Sequence, residues 1–145
     1  MKRGLSLVEL LVVMAILGVL LGLAVPNYLR WRAQAELDEA ARSLAQAFQY
    51  ARAEAKRTNS PRCAKVFTDG WTLGQDCNNL NAATQLFRQA KVSESNFSLP
   101  VDVAFFPPHG TTDAPLKKFP LQHTRYPDLR RDVNVIGVIG KVVVR

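Results

Sequence analysis

A chain of 145 residues with a formal net charge of +7 and a pI near 9.9 has room for one small globular domain beside the apolar block at its start. Beyond that block, Leu, Val, Phe and Trp are spread among charges, which excludes the hydrophobic deficit of a disordered chain. The basic excess suits an anionic partner such as nucleic acid or a membrane surface, although net charge governs association and not fold.

The first element runs from Leu5 to Val25 and holds one carboxylate, Glu9. At 1.5 Å per residue a helix of that length reaches about 31 Å, the thickness of a bilayer's hydrocarbon core. Lys2 and Arg3 would hold the N-terminus in the cytoplasm, so the residues after Val25 are expected on the far side of the membrane. A cleaved secretory signal also has a basic start and an apolar stretch before small residues such as Ala24. Its apolar region, however, runs only about 7 to 15 residues without charge, and here the helical pattern continues past any such cleavage point. An ionisable group at mid-bilayer costs at least about 2.5 to 3.5 kcal/mol, so Glu9 calls for a cationic partner; the alternative is a glutamate that stays hydrated near the headgroups.

The run Lys2-Arg3-Gly4-Leu5-Ser6-Leu7-Val8-Glu9-Leu10 resembles the type III signal of type IV prepilins and type II secretion pseudopilins. The resemblance implies that prepilin peptidase cuts between Gly4 and Leu5 and methylates the new N-terminus. Leu5 stands where the family more often has phenylalanine. Glu9 then becomes the fifth residue of the mature chain, where the family keeps its glutamate. In a helical filament that carboxylate can pair with the α-amine of a neighbouring subunit and relieve two desolvated charges at once.

Pro26 follows and is expected to kink or loosen the rod; the family has a proline near the same place. Leu37, Ala41, Leu44, Phe48, Ala51 and Ala55 recur at steps of three and four, which predicts one apolar stripe on a continuous helix against which a head packs. Glu36, Asp38, Glu39, Arg42, Arg52 and Glu54 fall outside the stripe and are expected on a solvated or subunit-facing surface. Trp31, between Arg30 and Arg32, suits a membrane interface better than a stacked base. Ser60-Pro61 predicts a helix end around Thr58 to Asn59.

Arg62 to Phe67 and Trp71 to Asp76 read as β-strands joined by a turn at Thr68-Asp69-Gly70, and Asn78 to Asn81 as loop. Cys63 and Cys77 flank this hairpin. In an exported head, strand pairing that brings them close predicts a disulfide, with free thiols as the alternative. Five further strands are expected at Gln85 to Val92, Pro100 to Phe106, Lys117 to His123, Val133 to Val138 and Lys141 to Val144. Val101 to Gly110 and Asp132 to Val144 resemble the head of the GspH/FimT group of minor pilins, which implies a long helix packed on antiparallel sheets.

Together these readings predict an α+β, pilin-like fold in which a long N-terminal α-helix, transmembrane in its first half, packs on a small antiparallel β-sheet head. The expected divisions are a leader at 1–4, a membrane and filament-core helix at 5–25, its amphipathic continuation at 26–59 and a periplasmic head at 60–145.

No catalytic set stands out. His109 sits beside Gly110 in an expected loop and His123 closes an expected strand; without a Cys or carboxylate at ligand spacing, each reads as an ordinary histidine. No Gly-x-Ser-x-Gly, phosphate-binding glycine loop or HExxH run occurs, so the sequence predicts no enzyme, metal or cofactor. Leu5 to Asp113 carry ten cations against ten carboxylates, and the excess lies in Ala114 to Arg145. There Arg130, Arg131, Lys141 and Arg145 form a candidate site for double-stranded DNA, because lysine and arginine contacts to phosphate are the sequence-independent source of affinity. Some FimT-like minor pilins bind DNA through a basic tail that begins Gly-Arg; Gly140-Lys141 keeps the glycine and a basic residue, but the closely spaced arginines are missing. A solvated basic face that offsets anionic lipid or neighbouring subunits accounts for the same residues.

The function expected is structural: a minor pilin-like subunit of a type IV pilus or competence pseudopilus, assembling by helix packing and contacting DNA through its basic end. The alternatives are an H-type minor pseudopilin of a type II secretion system and a membrane-anchored periplasmic binding domain that never polymerises. The resemblance implies other pilins, prepilin peptidase and an inner-membrane assembly platform as partners.

Overall fold

A computed structural model of the chain describes residues 7–93 and 97–145; the expected cleavage residues Gly4 and Leu5 lie outside the described residues. Helix α1 spans Leu7–Thr58. It ends where Ser60-Pro61 predicts, with Asn59 at a φ of 48°, the left-handed turn that commonly closes a helix. Pro26 sits inside α1 and leaves one rung of the hydrogen-bond ladder without a donor, yet the helix continues on both sides of it.

The chain divides into two units, Met1–Arg32 and Ala33–Arg145. In the first, every described side chain is exposed, Glu9 lies in the first turn of α1, and the helix is long and apolar enough to cross a membrane. A soluble monomer does not keep so large an apolar patch in water, so this segment requires lipid or other helices. Tyr28 and Trp31 place their ring centroids 6.0 Å apart near its end.

The second unit begins with the amphipathic part of α1 and continues through nine strands: β1 (Arg62–Val66), β2 (Gly70–Gly74), β3 (Gln85–Leu86), β4 (Ala90–Val92), β5 (Val101–Phe106), β6 (Thr111–Thr112), β7 (Lys118–His123), β8 (Arg130–Ile136) and β9 (Lys141–Val144). They form a five-stranded sheet ordered β3-β2-β1-β5-β6 and a four-stranded sheet ordered β4-β7-β8-β9. All pairings are antiparallel.

The predicted stripe of α1 is buried, and Ala33, Ala40, Ala45 and Ala47 widen it. Small side chains there let both sheets approach the helix closely. Phe48, fully buried, spans the junction: its ring centroid lies 5.3 Å from that of Phe119 in β7 and 6.4 Å from that of Phe105 in β5. One aromatic side chain thus belongs to the cores of both sheets.

Four expectations are corrected. Gln85 to Val92 is not one strand. The chain turns at Gln89, whose φ is 54°, and β3 joins the first sheet while β4 joins the second. The run reads as continuous because apolar residues recur along it with no Gly or Pro between them, but β3 pairs with β2 and β4 with β7. The short β6 has too few residues to leave a pattern. The eighth strand starts at Arg130, three residues earlier than its apolar run, because Arg130 and Arg131 pair with Gln122 and Leu121. Finally, Glu36, Asp38 and Glu54 are not simply solvated. Glu36 Oε2 lies 3.4 Å from His123 Nε2, Asp38 Oδ1 accepts from Arg131 Nε at 2.5 Å, and Glu54 lies 3.5 Å from Arg62. Arg57 also donates to Glu54 at 2.8 Å and holds that carboxyl below the usual carboxylate range, by hydrogen bonding and then by charge.

Candidate nucleic-acid interface

Alternation along the four-stranded sheet decides which side chains share a surface. Val133 and Val135 of β8 are buried against the core, so Arg130, Asp132, Asn134 and Ile136 take the outer face. Registry carries the division across the sheet: Lys118, Pro120 and Gln122 of β7 lie opposite Asn134, Asp132 and Arg130, Lys141 of β9 lies opposite Ile136, and Lys91 of β4 lies opposite Gln122. Arg145 exchanges both backbone hydrogen bonds with Asp132, at 2.8 and 2.9 Å.

The outer face therefore carries five cations, Lys91, Lys118, Arg130, Lys141 and Arg145, all exposed. Its one carboxylate among the described strand residues, Asp132, is 2.7 Å from Lys118. Four strands at about 4.8 Å spacing make a surface about 14 Å across. Lysine and arginine are the side chains that make sequence-independent contacts to phosphate.

Three of the four predicted DNA residues, Arg130, Lys141 and Arg145, come together here. Arg131 does not, because its side chain takes the core-facing side of β8 and binds Asp38 of α1. Sequence reasoning missed Lys91 and Lys118. The excess charge in Ala114 to Arg145 contains Lys118 and could have suggested it; Lys91 is 39 positions from Arg130 and joins the face only through the β4–β7 pairing.

His123 is a core histidine, 3% exposed. Its Nδ1 accepts the backbone N–H groups of Arg125 and Tyr126 at 3.1 and 3.2 Å, which leaves Nε2 to face Glu36. His109 is exposed in the turn before Gly110. Cys63 and Cys77 form a disulfide with Cα atoms 5.4 Å apart. Asp102 places a carboxylate oxygen within 4.8 Å of both sulfurs, but sulfurs bonded to each other offer no thiolate, so this trio does not make a metal site.

A family model described as "Type II transport protein GspH" matches residues 40–135, and one described as "Prokaryotic N-terminal methylation motif" matches residues 1–25. The pilin-like protein PilA1 of Thermus thermophilus is 54% identical over 69 residues, which are 48% of this chain and 43% of that protein. The match thus spans less than half of that relative's length. The chain is also similar to the type IV minor pilin FimU of Pseudomonas aeruginosa in two crystal forms. In one the TM-score is 0.61 at 20% identity over 77% of this chain and 89% of that one; in the other it is 0.55 at 18% identity over 75% and 92%. At such identities the likeness is one of fold.

Proposed function

This chain belongs to the type IV pilin and type II secretion pseudopilin family, and from that premise we propose that it is a minor filament subunit whose sheet face contacts double-stranded DNA. The observation that carries the filament part is the N-terminal unit, an exposed apolar helix whose first turn holds Glu9 five residues after Gly4. After cleavage and methylation at Leu5, the carboxylate of Glu9 neutralises the α-amine of an adjacent subunit. In apolar surroundings neither charge is tolerable alone, so the pair sets the axial register. The head lies on the periplasmic side, and an inner-membrane platform extracts the subunit into the filament. Glu9→Ala should insert in the membrane at wild-type levels and be missing from purified filaments; incorporation at wild-type stoichiometry rules the register role out.

The DNA part is supported by the five cations of the outer face. In a salt titration of the full chain in detergent micelles with labelled double-stranded DNA, each phosphate contact removed by Lys91→Ala, Arg130→Ala, Lys141→Ala or Arg145→Ala should flatten the slope of log K against log salt by about 0.9. Arg131→Ala should leave that slope unchanged. Equal, weak binding by the wild type and the quadruple variant moves the second reading ahead: an H-type pseudopilin of a type II secretion system, favoured by the family model over residues 40–135.

A further inference from the structure

Among the described residues, five lysines and arginines of the unit Ala33–Arg145 are half-buried. Arg62 is held by Glu54, Lys65 by Asp102 and Arg131 by Asp38, and Lys117 donates to the backbone carbonyl of Asp102. The fifth, Arg52 of α1, has no such partner among the described residues. Its Nε is closed off from solvent without a hydrogen bond. A long basic side chain ordinarily buries its stem and keeps its charged end in water. Here the charged group begins inside the head, and an unsatisfied buried donor calls for an acceptor.

The β5–β6 turn places a second cation beside it. A β-carbon on Gly110 would stand 2.7 Å from Arg52 Cγ, 3.3 Å from Arg52 Nε and 2.9 Å from Lys56 Cε. Both side chains therefore cross the same glycine. Gly110, at a φ of 66°, leaves them the room that any other residue would fill. Arg52 and Lys56 stand one turn apart on one face of α1, a spacing at which like charges destabilise a helix. Glu54, between them in sequence, sits on another face and is engaged by Arg57 and Arg62. The fold thus holds two cations together with no carboxylate of its own set against them.

We propose that Arg52 and Lys56, crossed over Gly110, form a binding site for a phosphate group, free or as a monoester. Such a group carries close to two negative charges near neutral pH, so one ligand offsets both cations, whereas a carboxylate offsets one. The guanidinium presents parallel N–H groups that match two phosphate oxygens, and the lysine ammonium acts as a point charge on another. The site lies on α1 at the β5–β6 turn and shares no residue with the outer face of the four-stranded sheet. It therefore stands independently of the DNA reading.

The test titrates inorganic phosphate, and separately a hexose phosphate, into the full chain in uncharged maltoside micelles, with sodium chloride adjusted to hold ionic strength constant. Phosphorus NMR reads the bound fraction. Saturable binding is expected, weakened at least about tenfold in Arg52→Gln and in Lys56→Gln, the loss for one charge-assisted contact. Arg57→Gln removes a neighbouring cation that Glu54 already holds and should bind as wild type. Tighter binding of the hexose phosphate would support a ligand carried on a sugar, and equal binding would support phosphate itself. No saturation with either probe, an equal loss in Arg57→Gln, or wild-type affinity in Arg52→Gln would each overturn the site. So would an Arg52→Gln defect confined to duplex DNA, which would make this end of α1 an extension of the DNA face.

Discussion

Phe48→Ala is expected to destabilise the head by about 3 to 5 kcal/mol, the range for truncating a fully buried phenylalanine. For a unit of this size the thermal midpoint falls by roughly 4 to 8 °C per kcal/mol. The loss should reach the upper part of the range because the ring touches aromatic residues of both sheets, Phe119 and Phe105, and both pairs disappear at once. Neither sheet can close the gap without leaving its partners, and α1 is held in place by alanines that cannot reach farther. Tyr50 lies two residues along the same helix and is 62% exposed, so Tyr50→Ala should cost less than about 0.5 kcal/mol. Denaturant melts of the full chain in micelles, followed by far-ultraviolet circular dichroism, compare the two. A Phe48→Ala loss below about 1 kcal/mol would show that the sheets do not share one core.

Removing the disulfide is the second large effect. Cys63 and Cys77 are 14 residues apart, and closing a loop of about that length restricts the unfolded chain by about 3 kcal/mol. In the folded head the same segment is already held by the β1–β2 ladder, where Cys63 stands opposite Gly74, and by Lys65, whose Nζ donates to the carbonyl of Cys77 at 3.3 Å. The double variant Cys63→Ser, Cys77→Ser should therefore keep the native sheet and lose stability through its unfolded state. Wild type treated with reductant should melt with the variant, and oxidised wild type well above both. Coincident melts of oxidised and reduced wild type would mean that the bond restrains nothing the ladder does not.

The end of helix α1 was legible almost to the residue, the strands of the β1–β2 hairpin to within about two residues, and so was the closeness of its two cysteines. Each depends on neighbours in sequence: a three-and-four apolar stripe, a Ser-Pro stop, a Thr-Asp-Gly turn between β-prone runs. The division at Gln89 was not legible, because two alternating fragments on either side of a left-handed residue look like one strand until each finds its own sheet. The DNA candidates illustrate the same limit. Arg130 and Arg131 are adjacent in sequence and equal in charge, but consecutive strand residues point to opposite faces, so one joins the basic plane and the other binds Asp38.

Composition and periodicity within single segments were enough to read a membrane-compatible helix with one carboxylate near its start, an amphipathic continuation and a β-rich head. Which cations form one surface and which carboxylates are tied back to the sheets emerges only when the strands pair. Such groupings depend on strand order and register, which bring Lys91 and Arg130 to either side of Gln122 across chain separations that carry no local pattern.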